Sequence, residues 1–212
     1  MTANPHNLIA PKIIRTGALS PFGRMARMAG HALGLDIPMD PVDTNNPDDH
    51  IHQQNPLSKI PCMVLADDSL IHDSTIIIHY LDAFDGQHRL LPDISQERFV
   101  MLTDTTIAKG IAEAGLLIVY EARYRDNPEH HSQKFLSMQQ AKLQKAMDYF
   151  VENMPDPQQT NILSINLSAS LSYLDFRKQA NWRVSHPTLA DWLEKFAQSE
   201  PAYEATKRPD DA

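Results

Sequence analysis

The scarcest informative residue in this chain is cysteine: Cys62 stands alone among 212 residues. One thiol excludes an internal disulfide, a CxxC redox pair and a cysteine-rich zinc site, so any sulfur chemistry must borrow a second sulfur from outside. Positive charge is also short, with 19 Lys and Arg against 27 Asp and Glu and a formal net charge of −8. That balance argues against nucleic-acid or anionic-membrane partners, both of which need concentrated positive charge. Long apolar runs are missing: in the second half Gly115 to Tyr120 is the longest, far below the ~20 residues of a membrane-spanning helix. Residues 1–11 have neither the basic start nor the apolar stretch of a secretory leader, and no repeat or low-complexity tract stands out. With 42% hydrophobic and 22% charged residues, the expectation is a soluble globular protein of the cytoplasm, consistent with a free thiol.

What is present falls into two grammars. In the first, short apolar runs alternate with helical patterns. Lys12 to Arg15 reads as a strand; Ser20-Pro21 opens a helix with a good N-cap and a tolerated first-turn proline; and Gly34 is a stop signal. Ile37 to Val42 reads as a second strand, at an edge because of Pro38 and Pro41. One helical turn near His50 to Gln54 follows. Cys62 to Leu65 and Ser69 to His72 read as two strands joined by Ala66-Asp67-Asp68, and Ser74 to Phe84 as a helix. The predicted order is βαβαββα. In the second grammar, apolar residues recur at helical spacing and no strand is convincing. Helices are expected around Val100–Ile118, Leu136–Phe150, Leu163–Leu174 and Leu189–Phe196. These patterns divide the chain into an α/β domain at 1–85, a linker at 86–92 marked by glycine and proline, and an all-α domain at 93–212.

Three places in the first domain could carry chemistry. Ser20 lies where a strand hands over to a helix, and a helix start offers free N–H groups and the positive end of its dipole. Its hydroxyl could donate to a bound thiolate and lower the thiol pKa, or it could serve only as an N-cap worth ~1 kcal/mol. Asn55-Pro-Leu-Ser-Lys-Ile-Pro61 runs two prolines into a strand. A cis Ile60–Pro61 bond would turn the Ile60 backbone outward for pairing with an extended peptide; a trans proline would merely limit an edge strand. Asp73-Ser74 opens the next helix and could either cap it or hold a ligand's carboxylate and ammonium.

Taken together, these segments resemble the glutathione S-transferase superfamily along nearly the whole chain. Asn55 to Leu65, continuing through Leu70-Ile-His-Asp-Ser-Thr-Ile-Ile-Ile-His-Tyr-Leu-Asp82, is similar to that family's N-P-x-G-K-[VI]-P loop and acid-Ser motif. Ser20-Pro-Phe-Gly-Arg24 looks like the S-P-[FY]-x-R segment of bacterial members, with serine where omega-type relatives carry cysteine. Leu171-Ser-Tyr-Leu-Asp-Phe-Arg177 and His186-Pro-Thr-Leu-Ala-Asp-Trp-Leu193 look like the helical domain of the same bacterial group.

The resemblance implies a thioredoxin-like first domain, glutathione as co-substrate, no metal, a small electrophile as partner and a homodimer. It also implies that Ser20 activates the glutathione sulfur, that Ile60 before cis-proline Pro61 holds the cysteinyl backbone, and that Asp73 and Ser74 hold the γ-glutamyl end. A non-catalytic interaction protein of the same fold, or a glutathione-dependent isomerase or dehalogenase, are the alternative activities. Without a cysteine at position 20 there is no protein sulfur to form a mixed disulfide, which argues against a thiol-exchange reductase.

Two departures stand out. Ser58 replaces the loop's usual glycine, so a backbone angle that glycine makes easy must be strained or moved. Asn161-Ile-Leu-Ser164 stands in place of an [ST]-x-x-D capping box, leaving no acidic group to return to the cap and an expectation of a weakened helix start. His50 and His52 near Asp48 and Asp49, and the pair His130-His131, read as solvated surface more readily than as metal ligands. Cys62 reads as a small buried hydrophobe. Lys109, Glu113 and Tyr120 fall on the helix that lines the second-substrate pocket in relatives, and their facing is open.

Overall fold

In a computed structural model, residues 7–208 are described; the first six residues of the segment read for a leader lie outside them. The chain begins with β1 (Pro11–Thr16), α1 (Pro21–Ala32), β2 (Met39–Pro41), the single turn α2 (Ile51–Gln54), β3 (Cys62–Leu65), β4 (Leu70–His72) and α3 (Ser74–Asp85). The order matches the βαβαββα expectation, with β2 shorter than its apolar run. The four strands align as β2-β1-β3-β4, with β1 parallel to β2 and antiparallel to β3. Pro38 just before β2 and Pro41 within its pairing are tolerated because β2 is an edge. Helix α1 is capped at Leu33, and Gly34 takes the left-handed angle, φ 69°, that ends it. This arrangement is a thioredoxin-like domain.

A helical region follows: α4 (Gln96–Arg123), α5 (Gln133–Glu152), α6 (Ile162–Phe176), α7 (Trp182–Ser185), α8 (Pro187–Ser199) and α9 (Pro201–Ala205), with a 3-10 turn at Pro128–His130. The four expected helices are α4, α5, α6 and α8; the two short ones and the 3-10 turn carry too few apolar repeats to announce themselves. Helix α6 is buried from Ile162 to Leu174 on every side. Three of its polar residues bond their own helix: Ser168 donates to the Ile165 carbonyl, Ser172 to Ala169 and Asn166 to Ile162, whereas the Ser170 hydroxyl is buried without a partner. The start of α6 corrects the expected weakness. Asn161 accepts from the Ser164 N–H at 3.0 Å and the Ser164 hydroxyl accepts from the Asn161 N–H at 2.9 Å. A hydroxyl oxygen returns the bond that an acid would have returned, and the box is complete.

One apolar cluster joins the two parts. Met25, Met28 and Ala29 of α1 belong to it together with Ile77 and Leu81 of α3, and with Leu167, Leu171 and Leu174 of α6. Helix α1 packs against α3 on one side and α6 and α9 on the other. The join at 86–92 is not a loose tether. Leu90 and Leu91 are buried, the Leu90 N–H donates to Asp82, and Arg89 bonds Asp85 and the Leu33 carbonyl. Burial raises the Asp82 carboxyl above its ordinary range, against the opposing bond from Leu90.

Candidate functional site

Ser20 is the N-cap of α1, and its Oγ accepts the Gly23 N–H at 3.1 Å. Capping uses an oxygen lone pair and leaves the hydroxyl proton; among the described residues no acceptor takes that proton. Cap and donor are therefore compatible roles for one side chain. Gly23 fixes the geometry from below. A Cβ there would lie 1.8 Å from Thr16 Oγ1 and 2.8 Å from Thr16 Cβ, so the first turn of α1 sits directly on β1 only because position 23 has no side chain. Arg24, the arginine of the Ser20-Pro-Phe-Gly-Arg24 segment, is 1% exposed. It donates to Ser172 at 2.6 Å and to the Tyr203 carbonyl at 2.9 Å, with its guanidinium 4.4 Å from the Tyr203 ring centroid. It ties the helix behind Ser20 to α6 and α9, a role its sequence position does not reveal.

The loop before β3 is organised by Asn55. Its side chain donates to the Lys59 carbonyl at 2.8 Å and accepts from Leu57 at 3.0 Å, and its carbonyl accepts from Ser58 at 2.7 Å. Ser58 keeps the left-handed angle expected of glycine, φ 52°. The substitution strains the angle in place and does not relocate it. The Ile60–Pro61 bond is cis. Among the described residues the Ile60 N–H and C=O bond to no other backbone group. Cys62 beyond it is fully buried in β3, and burial pushes its thiol up against the opposing charge of Arg15.

At the start of α3 the roles are divided between two residues. Asp73 has φ 74° and accepts the Thr75 N–H at 2.8 Å, which makes it the cap. Ser74 is 1% exposed and its Oγ has no hydrogen-bond partner. A buried hydroxyl without a partner costs about 1–3 kcal/mol, so it is an unusual thing for a helix start to carry. Lys109 of α4 reaches across to this point. Its ammonium bonds the two Asp73 oxygens at 2.8 and 3.0 Å and Thr75 Oγ1 at 3.1 Å, and lies 5.9 Å from the Phe22 ring centroid. Burial acts to raise the Asp73 carboxyl, but the Lys109 bond and charge and the Thr75 N–H outweigh it and hold the group below its ordinary range.

The other candidates lie apart. Asp49 accepts from the backbone of Ile51 and Asp43, and those bonds, the Ile51 one first, hold its carboxyl low. His52 donates to the Asn46 carbonyl, and His131 to that of Arg125. Of the three α4 residues left open, Lys109 faces Asp73 and Glu113 is exposed. Tyr120 packs edge-to-face on Tyr124 and lines a cavity of about 310 Å³ with Leu117, Glu121, Arg125 and Phe135. Among the described residues no group of three or more His, Cys, Asp and Glu could hold a metal, and no helix is long and apolar enough to cross a membrane.

A thioredoxin-like sheet with two donor-bearing helix starts, followed by an all-helical region, defines a glutathione-transferase-type architecture. Residues 19–83 match the family model for the glutathione S-transferase N-terminal domain. A glutathione transferase family member from Pseudomonas fluorescens Pf-5, crystallised with bound glutathione, is 30% identical, with a TM-score of 0.83 over 93% of this chain and 98% of that one. The crystal structure of a family member from the same strain with bound S-(propanoic acid)-glutathione is 29% identical, with a TM-score of 0.80 over 93% and 97%. The uncharacterized GST-like protein YibF of Escherichia coli K12 is 29% identical over 168 residues, 74% of this chain and 82% of that protein. The chain belongs to the glutathione S-transferase superfamily.

Proposed function

We propose that the chain is a serine-type glutathione transferase that binds glutathione in an extended form and directs its thiolate at small electrophiles. Asp73 and Ser74 hold the γ-glutamyl head, the Ile60 backbone ahead of Pro61 pairs with the cysteinyl unit, and the Ser20 hydroxyl donates to the sulfur. The observation that carries this reading is the buried Ser74 hydroxyl, which the chain leaves unpartnered at a helix start beside a carboxylate. A ligand carboxylate accepting from that hydroxyl and from the α3 N–H groups removes its desolvation cost and meets the positive end of the helix dipole. At the other helix start the Ser20 proton and the first-turn N–H groups favour a thiolate over a thiol. Lowering a thiol pKa from about 9 toward 6.5 raises its ionised fraction at neutral pH well over tenfold, and holding it beside the acceptor adds proximity.

The protein works in the cytoplasm as a homodimer in this reading. Ile76 of α3 and Phe99 and Val100 of α4, more than half exposed, offer apolar surface that a second copy would cover. The test is calorimetric titration with glutathione followed by conjugation assays against a panel of electrophiles. Binding with conjugation that falls about tenfold or more in Ser20→Ala supports the reading. Absence of binding overturns it, and full conjugation by Ser20→Ala across the panel removes the serine from the mechanism.

A further inference from the structure

Asp73 is the residue expected to meet a ligand's ammonium, yet in the ligand-free protein it already holds one. Lys109 places its three N–H directions on the two Asp73 oxygens and the Thr75 hydroxyl. By bonding residues 73 and 75 it brackets Ser74, whose buried hydroxyl is unpartnered. Its side chain is 16% exposed while that of Asp73 is 52% exposed, so the ammonium is the shielded partner and the carboxylate the one a ligand can approach. Near Phe22 it also stands over the first turn of α1. No residue near it in sequence explains the placement: the pair spans 36 positions and joins the helical region to the thioredoxin-like domain.

An α-amino acid head group is itself a pair of opposite charges. Set against Asp73 and Lys109, its ammonium would take the carboxylate and its carboxylate would take the ammonium. The exchange leaves two charge-assisted pairs where there was one. Neither Lys109 nor Asp73 would then be buried without a counter-charge, the condition that makes such exchanges expensive.

We propose that Lys109 is a specificity-determining residue of the amino-acid subsite: it stands in for the ligand's ammonium on Asp73 in the free protein and passes to the ligand's α-carboxylate beside Ser74 on binding. This rests on the reading of residues 73–74 as the γ-glutamyl subsite. A ligand lacking the carboxylate has nothing to offer the displaced lysine, and a ligand lacking the amine leaves Lys109 bound to Asp73. The site therefore selects the complete zwitterion.

The experiment titrates wild type, Lys109→Met and Lys109→Arg with three peptides. They are glutathione, 4-aminobutyryl-cysteinyl-glycine, which lacks the α-carboxylate, and glutaryl-cysteinyl-glycine, which lacks the α-amine. Lys109→Met should bind glutathione about tenfold more weakly, the scale of one lost charge-assisted pair. It should bind the decarboxylated peptide at least as tightly as wild type does, because no lysine has to leave Asp73. Lys109→Arg, which keeps the charge, should recover most of the glutathione affinity. Equal weakening toward both peptides would make Lys109 a structural tie and overturn the proposal, as would unchanged affinity for glutathione. If wild type binds none of the three, the glutathione reading itself fails and this proposal falls with it.

Discussion

The two helix starts that face the proposed ligand solve one problem in different ways. At α1 a single side chain, Ser20, caps the helix with its oxygen and keeps its proton available. At α3 the labour is split: Asp73 caps, and Ser74, one residue on, is buried with no partner at all. Where cap and ligand donor share an atom, removing it must harm the fold and the chemistry together. Where they are separate, the ligand donor can be removed at no cost to the helix. Ser170 in the middle of α6 is also buried without a partner, so the mark of a site is the combination at Ser74: an unpartnered buried hydroxyl at a helix start, beside a carboxylate and free N–H groups.

The comparison breaks most forcefully at Gly23. Gly23→Ala drives a Cβ into Thr16 and also displaces the N–H that binds Ser20. A loss of about 3 kcal/mol or more is expected, read as a fall in the denaturant midpoint, with the α1 subsite lost before the α3 subsite. Next comes Ser74→Ala, where the two quantities should move in opposite directions. Glutathione affinity falls about tenfold while the ligand-free protein gains about 1 kcal/mol, because a desolvated hydroxyl is gone. Weaker binding together with a weaker fold would mean the hydroxyl has a partner in the free protein and that the contrast with Ser20 is false.

The smallest effect concerns pH. The Asp73 carboxyl lies below its ordinary range in the folded chain. Its contribution to stability is therefore present above the unfolded value, near pH 4, and disappears as pH falls through the lower folded value. Asp73→Asn should differ from wild type in denaturant midpoint at neutral and mildly acidic pH, begin to approach it below about pH 4, and match it only once pH has fallen through the lower folded value. A difference that persists in strong acid would show that the Thr75 N–H bond, and not the charge, is what Asp73 contributes.

Much of this was legible in the chain because it is local. Caps, turns and strand runs are written in neighbouring residues, so Ser20, Asp73-Ser74, the Asn55 loop and the order of the first seven elements could be read directly. The capping box at Asn161 and Ser164 was visible as a spacing, but the expectation demanded an acid where a hydroxyl suffices. What could not be read depends on partners far along the chain. Arg24 finds Ser172 at a separation of 148 residues, and Lys109 finds Asp73 at 36. Helix α6 carries polar residues at 164, 166, 168, 170 and 172, yet is buried all round, since Ser164, Ser168 and Ser172 bond nearby carbonyls of their own segment and the small side chains leave surfaces for α1 and α4 to pack on. Its polar residues alternate with apolar ones and so fall on several sides of the helix, a pattern with no single polar face.

The central claim is that a chain with one buried cysteine works on a sulfur brought by its ligand, through the proton of Ser20. The direct measurement is the pH titration of thiolate ultraviolet absorbance for glutathione bound to wild type and to Ser20→Ala. The account predicts that the bound thiol ionises well below the ordinary range of a free thiol in wild type, and that Ser20→Ala moves its ionisation back up. A bound thiol that titrates as the free one does, or a depressed value untouched by Ser20→Ala, would contradict it.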